Sequence, residues 1–184
     1  MIRLRVTPQS LESAPAFVAI SGFAKEEVPL RGLAARMDGL LEGEASRLIS
    51  QGRLSGAWRS QALIASRGRV APEYVLFAGL GSLKGLTLSA LSLRVEGIVA
   101  RMLKTSARDI SLGVFSEDAA GAGYSALASE ILNGALRALA RQPLDLNLTL
   151  CEPHTDRYLE LVAVAERTLF RRTEGRELSL EVEV

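Results

Sequence analysis

Glu73-Tyr74-Val75-Leu76-Phe77-Ala78-Gly79-Leu80-Gly81-Ser82, running on into a long amphipathic segment that ends at Lys104, is the stretch that decides the fold. Tyr74 to Ala78 is apolar at every position, with no alternation of wet and dry residues. A strand of this kind has no face left for water, so its sheet needs a packing layer on each side. Gly79, Gly81 and Ser82 then supply a turn, and Thr87 is placed to cap the helix that follows. Leu88, Leu91, Val95, Ile98, Val99 and Met102 form a stripe at helical spacing, the face of a helix lying back on the strand. Buried strand, glycine turn and packed helix make an α/β unit.

The rest of the chain repeats this alternation. Ile2, Leu4 and Val6 alternate with Arg3 and Arg5, a strand with one wet face, and Phe17 to Ile20 is a second strand closed by Gly22. From Leu30 the spacing changes to three, four and seven through Leu33, Met37, Leu40, Leu41, Leu48 and Ile49, which predicts a helix. Gly39 and Gly43 weaken its middle, each by about 1 kcal/mol relative to alanine. Close approach of another backbone is the usual reason for such glycines, and two interrupted helices are the other reading. Gln61 to Ser66 is a short strand. Ile110 to Phe115 is another, followed by a loop from Ser116 to Gly123 and a helix marked by Leu127, Ile131, Ala135, Ala138 and Leu139. Leu144, Leu146, Leu148 and Leu150 alternate with polar residues, predicting a strand near an edge or with one face less covered. Thr155 or Asp156 caps a last helix to about Phe170, and Leu178 to Val184 alternates as a closing strand.

The order β-β-α-β-β-α-β-α-β-α-β predicts one α/β domain over residues 1–184. Its architecture is a three-layer α/β/α sandwich with a mixed, mostly parallel sheet and right-handed crossovers. A length of 184 residues suits one core. Lys and Arg total 22 against 21 Asp and Glu, a formal net charge of +1, so no global field favours nucleic acid or an anionic membrane. The single cysteine, Cys151, excludes an internal disulfide and suits a reducing compartment. No stretch reads as a signal peptide or a membrane span, so a cytoplasmic location is expected.

Two stretches resemble the N-terminal domain of the leucyl aminopeptidase family. One carries Leu33, Met37, Asp38, Leu41, Leu48-Ile49 and the turn Arg53-Leu54-Ser55-Gly56; the other is Val75 to Gly81 followed by Leu86-Thr87 opening a helix. The resemblance implies a macro-domain-like fold and a non-catalytic interaction or assembly module, as a homo-oligomer or the partner of another protein. It implies no cofactor and no metal, since that family's catalytic residues lie in a second domain whose signature is missing here. The alternative is a macro-like binder of a small phosphorylated ligand of nucleotide or ADP-ribose type.

Under that alternative the ligand-binding candidates are Gly79, Gly81 and Ser82 at one strand end and Gly121 and Gly123 at another. Turns at strand ends are where open α/β sheets bind ligands, and backbone N–H groups at a helix start can hold an anion. The plainer reading is that the glycines allow tight turns, and Glu117 and Asp118 would repel a phosphate. Cys151 and His154 are two ligands where zinc needs three or four; a Cys–His catalytic pair at this strand end, with Glu152 and Asp156 nearby, is the other reading, and a structural role is the plainer one. Arg171, Arg172 and Arg176 alternate with acids as in a solvated turn. Trp58 is either a partner anchor or a cap on the core.

Overall fold

The computed structural model describes residues 1–105, 107–115, 122–170 and 178–183. The apolar run becomes strand β4 (Tyr74–Gly79), preceded by β1 (Ile2–Thr7), β2 (Val18–Phe23), a 3-10 turn at Lys25–Glu27, α1 (Gly32–Leu40), α2 (Glu44–Ser50) and β3 (Gln61–Ala65). It is followed by α3 (Leu88–Leu103), β5 (Asp109–Gly113), α4 (Tyr124–Ala140), β6 (Leu146–Cys151), α5 (Thr155–Phe170) and β7 (Leu178–Val182). The seven strands among the described residues form one sheet in the order β3-β4-β2-β5-β6-β1-β7, antiparallel at β3–β4 and parallel at the other pairings.

Alternate residues of β4 enter two separate cores, as its unbroken apolar character requires. Leu76 and Ala78 pack with Leu91, Val95 and Ile98 of α3, in a core that α4 and α5 extend through Leu127, Ile131, Leu161 and Val164. Val75 and Phe77 point the other way, to Phe23 of β2, Ala34 and Met37 of α1 and Ala45 of α2. This is the expected α/β/α sandwich, with α3, α4 and α5 on one face and α1 and α2 on the other. Across the first layer, Glu96 of α3 accepts Arg137 of α4 at 2.8 Å and pairs at 2.7 Å with Arg141, the C-cap of that helix.

Two expectations are refined. β6 is an interior strand, between β5 and β1, so its alternation does not mark an edge. Leu146, Leu148 and Leu150 enter the α3–α5 core, while the opposite face carries Asn147, reached by Arg3 at 3.4 Å, and Thr149. The helix read from Leu30 to Ile49 is two helices. Gly43 takes φ 73° between them, and the Asp38 carboxylate receives the N–H of Ala45 at 2.7 Å and the hydroxyl of Ser46 at 2.5 Å. That carboxylate caps α2 from inside α1 and fixes the bend. No other backbone approaches Gly39 or Gly43, and nothing in the structure explains Gly39.

Asp38 is 5% exposed, so removing its carboxylate strands buried donors. Asp38→Ala is expected to cost about 2 kcal/mol, or about 5 °C in Tm, measured by thermal unfolding. An unchanged Tm would show that water replaces the cap.

Candidate functional site

The chain leaves β2 toward α1 on one face of the sheet and leaves the neighbouring β5 toward α4 on the other. Chains that part in this way open a crevice at the carboxyl ends of the strands, the position where open α/β sheets bind ligands. A cleft of about 470 Å3 lies there, with Gly22 of β2, Gly113 of β5 and Cys151 of β6 at its base. Phe115 closes the floor: its ring lies against Gly22, where a Cβ would fall 2.7 Å from it. Leu33 and Leu11 close over Gly113 in the same manner.

One wall is the start of α1, with Arg31, Gly32, Leu33, Ala34 and Arg36 facing the cleft. The first N–H groups of a helix have no intrahelical acceptor and carry the positive end of its dipole. The N-cap residue Arg31 makes no side-chain capping hydrogen bond, and the first turn holds no acid. Arg31 adds a guanidinium there; Arg36 is tied to Glu12 at 3.0 Å. Glu27, from the 3-10 turn, also faces the cleft.

The other wall is the β6–α5 segment, Glu152, Pro153, His154 and Arg157. Glu152 is 5% exposed and well satisfied: one oxygen accepts the Tyr124 hydroxyl at 2.8 Å, the other the His154 N–H at 3.0 Å. The Arg157 guanidinium lies 5.4 Å from the centre of the Tyr124 ring. Burial pushes the Cys151 thiol up to about 12, and the carboxylates of Glu12, Glu183 and Glu152 add to the shift. It therefore stays protonated at neutral pH and makes a poor nucleophile, although it and His154 line the same cleft. Among the described residues no group of three or more His, Cys, Asp or Glu could hold a metal ion, and no helix is long and apolar enough to cross a membrane.

The glycine turn after β4 lies outside the lining of this cleft. Gly79 packs against the backbone of residues 55–57, and Gly81 lies under Arg94 with φ 83°. Ser82 donates its hydroxyl to one oxygen of Glu26, and the Leu83 N–H reaches the other at 2.9 Å. The donors an external anion would use are thus held by a carboxylate of the chain itself. The Ser82 hydroxyl, then the Leu83 N–H, lowers the exposed Glu26 carboxyl from 4.5 to about 2. A lowered folded-state value means that this contribution is present above 4.5 and is lost as pH falls through about 2. Glu26→Gln should accordingly flatten the acid arm of the stability profile between those pH values, read as urea midpoints at pH 5 and 2.5. Identical profiles for the two proteins would refute the linkage.

Gly123 is the N-cap of α4, with open space beside it, and the hydroxyl of the next residue, Tyr124, reaches the Glu152 of the cleft wall. Gly121, with Glu117 and Asp118, lies outside the described residues, as do Arg171, Arg172 and Arg176. Trp58 lays its ring edge over Gly97 of α3, where a Cβ would fall 3.2 Å from it, with Arg94 5.9 Å from the ring centre, and so covers that helix. Arg31, Gly113 and Arg157 of the cleft carry no motif. Their meeting depends on which strands are neighbours, which periodicity does not encode.

No protein-family model matches the chain, and no curated protein sequence matches it. Solved structures do. A mutant of the Oceanobacillus iheyensis macrodomain with ADPR superposes with a TM-score of 0.61 at 10% identity, covering 90% of this chain and 92% of that one. The Trypanosoma brucei macrodomain in complex with ADP gives 0.65 at 16% identity, over 88% of this chain and 67% of that one. The macrodomain of Thermus aquaticus DarG gives 0.61 at 15%, over 83% and 100%. The chain has the macrodomain fold.

These findings correct the resemblance to the leucyl aminopeptidase N-terminal domain, and with it the assembly-module reading. The motifs behind it were a buried strand, a glycine turn and a leucine-rich helix, which any α/β crossover of this geometry produces.

Proposed function

We propose that the cleft binds a small phosphorylated ligand of ADP-ribose type. The observation that carries this is the uncapped start of α1 facing the crevice between β2 and β5, with Arg31 beside it. Unpartnered N–H groups, the positive helix end and a guanidinium together suit phosphate oxygens. A volume of about 470 Å3 is within the range of small-molecule sites. The structures of this fold that hold ADP and ADPR support the same ligand class. Gly113, Val114 and Phe115 line the cleft at the end of β5.

Thermal-shift titration tests it. ADP-ribose at about one hundred times its dissociation constant is expected to raise Tm by about 5–10 °C. Adenosine, which lacks phosphate, should give little or no shift. No shift with ADP-ribose or ADP near millimolar would exclude the proposal.

A further inference from the structure

We propose that Trp58 and the arginines around it form a second site, independent of the cleft, that takes single-stranded nucleic acid. The net charge of +1 conceals an uneven distribution. Residues 53–104 carry eight Lys and Arg against two acids, whereas residues 105–184 carry eight against thirteen. Of those two acids, Glu96 is buried and paired with Arg137 and Arg141, so it does not offset the surface charge. The basic segment comprises the edge strand β3, its neighbour β4 and α3, which gathers the excess on the β3 side of the molecule. A local field of one sign favours a polyanion there, even in a chain that is nearly neutral as a whole.

Trp58 stands within that field. Its ring edge covers Gly97 of α3, the Arg94 guanidinium lies 5.9 Å from the ring centre, and the residue stays 37% exposed. Arg94 donates to the carbonyls of Leu80 and Ser82, and so fixes the ring. Arg101, one turn beyond Gly97, donates through Nη1 to the Arg59 carbonyl at 3.2 Å and to Gln61 at 3.4 Å. Arg59 is exposed, and neither it nor Arg101 makes an ion pair among the described residues. The turn that presents Trp58 is tied at several points. Ser55 donates its N–H to the Ser60 hydroxyl at 2.9 Å, Ser60 to the Ala57 carbonyl at 3.0 Å, and Gly81 to the Gly56 carbonyl at 2.7 Å. One turn before Gly97, Leu93 adds an apolar side chain that is 63% exposed.

A preset tryptophan among arginines suits a polymer in which flat bases alternate with phosphates. Bases stack on the ring, and phosphates meet the guanidinium groups. An acidic peptide, or the acidic half of a second copy, would use the arginines and leave the ring idle. In a duplex the bases are stacked on one another, so the single strand is the form that fits.

Trp58 is the only tryptophan of the chain, so its fluorescence reports this site alone. The test is titration with an oligothymidylate of about 12 nucleotides, read by that fluorescence and by anisotropy of a labelled strand. Quenching is expected, with log affinity falling against log salt at a slope of about −1.4, the value for two phosphate contacts on a single strand. Trp58→Leu keeps an apolar cover on α3 and should weaken binding about tenfold. Arg59 takes φ 74°, which glycine adopts freely and arginine does not. Arg59→Gly should therefore hold or raise Tm while weakening the strand about fivefold and reducing the slope by about 0.7. Should Trp58→Leu not fold, the quenching and Arg59→Gly still decide. No quenching, or full affinity in Arg59→Gly, would overturn the proposal. Heparin binding as tightly as the oligonucleotide, with Trp58→Leu unchanged toward both, would show a purely electrostatic surface and overturn it too. Self-association in light scattering that Arg59→Gly abolishes, without oligonucleotide binding, would give the surface to a second copy instead. Neither Trp58 nor Arg59 lines the cleft, so saturating ADP-ribose should leave oligonucleotide affinity unchanged. Competition between the two would place the strand in the cleft and refute a second site.

Discussion

Gly79→Ala is expected to lower Tm by about 10 °C. Gly79 ends β4, pairs with Phe23 of β2 and donates its N–H to the Ser60 carbonyl at 2.8 Å. A Cβ on it would fall 2.1 Å from the Ala57 carbonyl oxygen and 2.8 Å from that of Ser55. Both obstacles are backbone, so no side chain can rotate away. Relief requires the 55–60 segment to withdraw, which pulls on the Ser60 hydrogen bond that ends the strand. Overpacking of this kind costs about 3 kcal/mol, the upper part of the usual range. Differential scanning calorimetry measures it directly. The prediction also separates two roles for this glycine. A residue kept for a ligand would tolerate the methyl in the free protein and lose binding, whereas a residue kept for packing loses stability. A Tm within a degree of the unmodified protein would remove the packing explanation.

The apolar run at Tyr74–Ala78 was legible because burial on two faces leaves a mark on every residue of a strand. The single alternating strand at Leu144–Leu150 was harder. Its pattern records that the two faces differ, and it is silent on how many strands lie beyond. The bend at Gly43 was ambiguous for a local reason. Glycine in a helical pattern reads equally as a close approach or a break, and the deciding partner is Asp38, whose carboxylate bonds Ala45 and Ser46 further along the chain. The glycine turn after β4 is visible as a turn. That its donors are taken depends on Glu26, which arrives from the far side of β3 and α1 in sequence. The resemblance to the leucyl aminopeptidase domain fails for a related reason, since short apolar motifs report a crossover and carry no information about which family uses it.

The cleft was the least legible feature. Gly22, Gly113 and Cys151 come together because β2, β5 and β6 are neighbours at one end of the sheet, and that order follows from the two-sided wrapping of α1 and α4. No run of residues encodes it. What the sequence does carry is the chemistry of each piece: an arginine just before a helix that opens on glycine, and an arginine in the first turn of α5.

The former gives the largest expected effect on binding. Arg31→Glu should weaken ADP-ribose at least about 100-fold while leaving Tm unchanged or slightly raised. Arg31 is exposed, makes no capping hydrogen bond and occupies the N-cap of α1, so its removal takes no packing with it. A carboxylate at that place faces the positive end of the helix and stabilises it by about 0.5 kcal/mol. It thereby does for the free protein what a phosphate would do for the complex, and it repels the phosphate that arrives. Affinity and stability then move in opposite directions, which general damage to the fold cannot produce. Calorimetric titration with ADP-ribose and a thermal melt of the same sample read both. Retained affinity in Arg31→Glu would place the phosphate away from α1. A loss of affinity accompanied by a fall in Tm would show that Arg31 acts on the fold before it acts on the ligand.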